Sequence, residues 1–168
     1  MTWYKDWFNS EDYLLVYKHR DTREAEILVK LIQKKLNLLS SSNVLDMACG
    51  AGRHSIAFAQ EGYNVTAVDL STRLINEAKK NAIQANVKID FVLADIHDVK
   101  LYKEFNLVVN LFTSFGYFET EESLEVAQAK MAEKEVNTRW QEFMSPFVDA
   151  NARPDETFVE LEEYFHLD

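Results

Sequence analysis

The chain has 168 residues, enough for one domain that buries roughly two-thirds of its unfolded surface. Its formal net charge of −10 argues against a broad nucleic-acid surface, because neutralising phosphates takes clustered Lys and Arg. No apolar run approaches the roughly 20 residues that span a bilayer, and a hydrophobic share of 47% is ordinary for a globular protein, so the expected partner is a small molecule rather than nucleic acid or membrane. The opening "MTWYKDWFNSEDY" is charged and lacks the apolar run of a secretory signal. The single Cys49 cannot form an internal disulfide, which fits a cytoplasmic location.

In chain order, Tyr13 to Leu39 carries Ile27, Leu28, Leu31, Ile32 and Leu36 at helical spacing. "NVLDMAC" is a short apolar run, as a strand covered on both faces should be. "GAGRHSIAFAQEG" returns to helical spacing and stops at Gly62, a plausible left-handed terminator. "YNVTAVDLS" predicts the next strand, and "STRLINEAKKNAIQAN" a helix with Ser71 or Thr72 as N-cap and Asn86 near its end. "KIDFVLADIHD" and "FNLVVNLF" predict a third and a fourth strand. Strands alternating with helices call for a parallel sheet. With Thr120 as N-cap and Glu121, Glu122 and Ser123 in the first turn, a Gly-free stretch follows that reads as one long helix or as two broken near Asn137. "NARPDET" is a loop, and "FVELEEYFHLD" alternates at strand spacing. With no linker or repeat, residues 1–168 are expected to form a single domain. Only 4 Gly and 2 Pro occur, few for a complete doubly wound domain.

The chemistry-bearing residues gather at predicted strand ends. Asp46 closes the first strand, Gly50 and Gly52 occupy the turn, and a helix follows at once, which allows close backbone approach and offers unpaired N–H groups. Asp69 ends the second strand, at the distance along the chain where a carboxylate binds ribose hydroxyls. Asp95 follows the third. Ligands of open α/β sheets bind beyond these carboxyl ends. Asp95 and His97 without further ligand spacing do not predict a metal site. Cys49 has no adjacent base and reads as a small residue in a crowded loop.

The segment from about Trp3 to Phe118 closely resembles class I S-adenosylmethionine-dependent methyltransferases of the small-molecule type, on four ordered motifs: "LDMACGAGRHS", "VTAVDLS", "LADIHD" and "FNLVVNLFTSFGYF". The resemblance implies S-adenosylmethionine or S-adenosylhomocysteine as cofactor. Asp46, Ala48 and the Gly50–Gly52 backbone would hold the methionine part. Asp69 with Leu70 would bind the ribose, and Asp95 with the Ile96 amide the adenine. Tyr4, Tyr17 and Arg20 resemble residues that close over the cofactor. Ala48 stands where the family more often has Gly. "NLFTSF" lacks the pattern of base-amino methylation, which leaves Asn110, Phe112 and Ser114 as a candidate pocket for a different acceptor. No catalytic residue is assigned.

The last 50 residues resemble another family. "N-x-R-W-Q-x-x-M" and the closing "L-E-E-x-F-H-L-D" are similar to the C-terminal end of L-rhamnose mutarotases, small ferredoxin-like α+β proteins. The two resemblances imply an engineered chimera with its seam near residue 118. The expected fold is a three-layer αβα Rossmann-like sandwich with a mainly parallel sheet of order 3-2-1-4-5, the last helix and strand coming from the ferredoxin-like parent. A monomer or a strand-exchanged homodimer is compatible with that last strand. The implied function is a cofactor-binding methyltransferase half with impaired catalysis. An inert scaffold and an active methyltransferase are the alternatives. Mutarotase activity is not expected, and Trp140 reads as a core anchor of its helix.

Overall fold

The computed structural model describes residues 3–10, 12, 15, 22–96 and 98–111. The elements in order are α1 (Trp3–Phe8), α2 (Thr22–Leu36), β1 (Asn43–Met47), α3 (Arg53–Gln60), β2 (Asn64–Asp69), α4 (Thr72–Gln84), β3 (Asp90–Leu93) and β4 (Leu107–Val109). The four strands form one parallel sheet of order β3-β2-β1-β4, as the first four positions of the expected order require. The expected fifth strand, its helix and the seam at residue 118 lie outside the described residues, as do Tyr17, Arg20, His97, Phe112, Ser114 and Trp140. Among the described residues, no helix is long and apolar enough to cross a membrane.

The apolar runs of β1 and β2 are explained by burial on both faces. Successive residues alternate sides of a strand, and the core divides accordingly. On one face Leu45, Met47, Val68 and Val108 pack with Ile96, Val99 and Phe105 from the segment after β3. On the other, Ala67 packs with Cys49 and Ile75 of α4. The helices present the stripes their periodicity predicts: Ala25, Val29 and Ile32 on α2, and Leu74, Ile75, Ala78 and Ala82 on α4. Helix α2 lies against α3.

Helix ends follow from single residues. The Ser71 hydroxyl accepts a hydrogen bond from the Leu74 N–H at 3.2 Å, so Ser71 rather than Thr72 is the N-cap of α4. Gly62 turns the chain out of α3 at φ +89° and Asn86 out of α4 at φ +55°, left-handed positions that Gly and Asn tolerate.

The third strand is shorter than "KIDFVLADIHD" suggests. It ends at Leu93 because the chain then turns, the Asp95 carbonyl accepting from the N–H groups of Asp98 at 3.1 Å and Val99 at 2.9 Å. Parallel register sets Asp46 beside Ala67 and Val109, and Asp69 beside Leu93. All four carboxyl ends therefore open onto one edge of the sheet.

Candidate cofactor site

Between β1 and α3 the chain makes a tight loop, Ala48 to Gly52. Three of its residues adopt left-handed backbone: Ala48 (φ +59°), Gly50 (φ +57°) and Gly52 (φ +81°). Gly52 has a second constraint, since a Cβ there would stand 2.9 Å from the Cβ of Ala78 on α4. The loop is pinned from two sides and braced within itself. The Cys49 N–H donates to the Val68 carbonyl at 2.9 Å, the Gly52 N–H to the Cys49 carbonyl at 3.0 Å, and the Asn81 amide of α4 to the Ala51 carbonyl at 3.1 Å.

Asp69 holds this loop to the second strand. One carboxylate oxygen accepts from the Gly50 N–H at 2.8 Å and the other from the Ser71 N–H at 2.8 Å. The residue is 7% exposed. Burial pushes its carboxyl above the usual range, and the backbone N–H groups of Ser71, Gly50 and Leu70 pull the other way. A carboxylate offers about four lone-pair sites, so acceptor capacity remains for a ligand hydroxyl. Leu70, half-buried, contributes its backbone.

Asp46 lies deeper. Its Oδ2 accepts a short 2.5 Å hydrogen bond from the Ser55 hydroxyl, and the Ser55 N–H bonds to the same carboxylate. A residue nine positions back in the chain thereby acts as the acceptor at the N-terminus of α3, where Gly52 has no capping side chain and where the helix dipole favours negative charge. Burial dominates nonetheless. With the nearby Asp69 charge it raises the Asp46 carboxyl to about 7, against the lowering effect of the Ser55 bonds. The same burial, with both aspartates close by, pushes the Cys49 thiol up, which removes its nucleophilic character at neutral pH.

The edge continues on both sides of this pair. Beyond β3, Asp95 is half-buried and shapes the turn through its carbonyl. The Ile96 side chain is sealed in the core, leaving only its backbone for the role the resemblance implies. Beyond β4, Asn110 is buried. Above β2, the Ser71 hydroxyl lies 2.9 Å from both the Phe8 carbonyl and the Asn9 side-chain oxygen, so the N-terminal segment sits against the loop that follows Asp69. Arg53 opens α3 with an ion pair to Glu24 of α2 at 2.6 Å.

Of the sequence-predicted site residues, the fold brings Asp46, Ala48, Gly50, Gly52, Asp69, Leu70, Asp95, Ile96 and Asn110 to one edge. Ser55, Asn9 and the linking role of Ser71 escape a sequence reading. Ser55 could have been found by placing the first turn of a helix over the preceding strand end, but Asn9 joins the site across more than sixty residues of chain. Among the described residues, no group of three or more His, Cys, Asp or Glu is placed to hold a metal ion.

Comparison with known proteins agrees with this geometry. A family model described as a methyltransferase domain matches residues 44–133, more than half of the chain. The dTDP-3-amino-3,4,6-trideoxy-alpha-D-glucopyranose N,N-dimethyltransferase of Streptomyces venezuelae is 32% identical over 110 residues, 66% of this chain and 44% of that protein. A ubiquinone biosynthesis O-methyltransferase of Rickettsia akari (strain Hartford) is 29% identical over 105 residues, 62% of this chain and 42% of that one. The chain thus spans less than half the length of these curated relatives. The crystal structure of magnesium protoporphyrin IX methyltransferase from Synechocystis PCC 6803 with bound SAH superposes with a TM-score of 0.66 at 22% identity, covering 80% of this chain and 68% of that one; it shares the fold. The family match runs through the seam expected at residue 118 and ends inside the stretch that resembles a mutarotase. By the family match over more than half its length, the chain belongs to the methyltransferase domain family.

Proposed function

We propose that the chain is the cofactor-binding half of an S-adenosylmethionine-dependent methyltransferase acting on a small molecule. The observation that carries the reading is the Asp69 carboxylate bonded at 2.8 Å to the Gly50 N–H. It fixes the glycine loop of β1 and the acidic end of β2 as one preformed ledge, so little ordering remains to oppose binding. The residues present fit the group. Asp69 keeps acceptor capacity for a ribose hydroxyl, the Ile96 amide and Asp95 carboxylate flank the adenine side, and Asp46 with the Ala48–Gly52 backbone takes the methionine end. When bound, the cofactor supplies a methyl group already activated on a sulfonium, so the protein's work is to bind and orient. Gly50 admits close approach because its would-be Cβ position faces open space, whereas Gly52 is required by the packing of α4. The relatives' printed names suggest an amine or hydroxyl of a small molecule as acceptor, and the pocket expected from Asn110, Phe112 and Ser114 would receive it.

Turnover by this chain is proposed to be impaired. The motifs that resemble a mutarotase, "NTRWQEFM" and "LEEYFHLD", both lie beyond residue 133, so the chimera reading survives only with its seam moved past that residue. No anomer exchange of L-rhamnose above buffer is expected in saturation-transfer NMR. Isothermal titration with S-adenosylhomocysteine tests the main reading: micromolar binding, abolished in Asp69→Ala, is expected. Failure of the unsubstituted chain to bind at millimolar ligand would leave the inert-scaffold alternative.

A further inference from the structure

Asn81 follows Ala78 by three residues and Leu74 by seven, so it flanks the buried stripe of α4, and it is half-buried. The helix itself gives no reason for an asparagine here, because Asn ranks below Ala and Leu as a helix former. Its partner lies across the packing interface. The side-chain NH2 donates to the Ala51 carbonyl of the glycine loop at 3.1 Å, thirty residues back in the chain.

That bond governs the far end of the loop. The planar peptide joining Ala51 to Gly52 is held twice, its carbonyl by Asn81 and its N–H by the Cys49 carbonyl at 3.0 Å. The second bond is internal to the loop, so of the two it is Asn81 that ties this peptide to a regular element. The near end is tied to β2 instead, by the Cys49 N–H on Val68 and the Gly50 N–H on Asp69. Helix α4 is fixed to the same Asp69 through the Ser71 N–H at 2.8 Å, which closes a circuit of loop, strand and helix. Sterics and hydrogen bonding then act in opposite directions on the loop. A would-be Gly52 Cβ stands only 2.9 Å from the Ala78 Cβ, so the loop has no room to move toward α4. The Asn81 bond stops it from moving away. Asn81 lies ten residues along α4 from Ser71, about 15 Å at 1.5 Å per residue, and so acts behind the loop rather than at the strand-end edge.

We infer that Asn81 is a positioning residue for cofactor binding, holding the glycine loop in its binding conformation from α4 through the Ala51 carbonyl. Without that bond the loop occupies the conformation for a smaller fraction of the time, and apparent affinity falls by that fraction. The role rests on the cofactor reading proposed above, whereas the restraint on the loop can be measured in the free chain.

Two variants of the full chain test it. Asn81→Ala removes the donor and installs a better helix former, whereas Asn81→Asp keeps the shape with an ionised side chain that only accepts. In calorimetric titration both should weaken S-adenosylhomocysteine by about threefold to tenfold, the range of one neutral hydrogen bond. Adenosine, which lacks the methionine end that the loop bears, should change by less than about twofold. In the free variants the Gly52 amide should exchange with solvent faster by a factor similar to the affinity loss, while the β2 amides keep their rates. A general loosening of the fold would speed both. Either variant carries the test if the other does not fold. Undiminished S-adenosylhomocysteine affinity, equal losses for the two ligands, or Gly52 exchange that quickens only together with β2 overturns the inference. An unsubstituted chain that fails to bind S-adenosylhomocysteine at millimolar concentration overturns the cofactor reading itself, and with it the binding role of Asn81, whatever the Gly52 amide does.

Discussion

Gly52→Ala separates the two demands that the site places on its loop. The first is backbone conformation, since φ +81° is left-handed and costs a residue with a Cβ about 1–2 kcal/mol. The second is space. The new methyl would lie 2.9 Å from the Ala78 Cβ and 3.4 Å from its Cα. Ala78 is fully buried, and its Cβ is carried by the helix backbone, so relief requires α4 to move away from α3. Overpacking of this kind costs about 1–3 kcal/mol. Together the two give a destabilisation of about 2–5 kcal/mol. Gly50→Ala is the internal control. Its φ is +57° but nothing lies within 4 Å of its would-be Cβ, so it should lose only about 1–2 kcal/mol. Urea denaturation read by circular dichroism, with unchanged m-values, measures both. Adding Ala78→Gly to Gly52→Ala should recover the steric part, less about 1 kcal/mol for glycine inside a helix, giving a favourable coupling in the double-mutant cycle. Equal losses for the two alanine variants, or no coupling between positions 52 and 78, would refute the reasoning.

Three further outcomes follow from the same loop. Ala48, at φ +59° and packed against the core, should accept Gly with a net change within about 1 kcal/mol, because released strain offsets lost packing. Ala48→Val should destabilise by about 2 kcal/mol or more, since a β-branched residue resists this conformation; a neutral valine in the same urea titration would contradict the assigned backbone. The Asp46 carboxyl, raised to about 7, gives a definite pH dependence. Its folded pKa lies above the unfolded value, so the native state holds the extra proton between about pH 4 and 7, and stability falls as pH rises through that window, then levels off. Asp69, also raised, adds in the same direction. Ser55→Ala removes a bond that favours the ionised form, so the fall should shift to higher pH in a series of urea melts; a shift to lower pH would contradict the 2.5 Å contact. Cys49, buried and with its thiol pushed up, should react with a disulfide reagent far more slowly in the native chain than in urea, and rapid native labelling would show an open loop instead.

Much of this arrangement is legible in the sequence because it depends on short-range signals. "NVLDMAC" and "NVTAVD" announce buried strands by their largely apolar runs; Asp46 stands one residue before the end of β1 and Asp69 ends β2. Gly50 and Gly52 mark left-handed turns that few other residues allow, and Ser71 caps α4 from the position its type predicts. Distance in the chain limits the rest. The Asp46–Ser55 pair depends on how a five-residue loop folds a helix back over the strand that precedes it. The contact of Ser71 with Phe8 and Asn9 depends on packing of the N-terminal segment, which has no periodic signal. Ala48 looks like a departure from a glycine pattern, yet the backbone there keeps the glycine conformation at φ +59°.

The central claim is that the ledge made by Gly50, Asp69 and their neighbours receives the cofactor across the strand ends. Amide chemical-shift mapping of the isotopically labelled chain during titration with S-adenosylhomocysteine tests it most directly. Saturable shifts concentrated at the amides of Cys49 to Gly52, Leu70 to Ser71 and Ile96 are predicted, with α2 and the start of β1 unmoved. An unchanged spectrum at millimolar ligand, or shifts confined to residues away from this edge, would contradict the account.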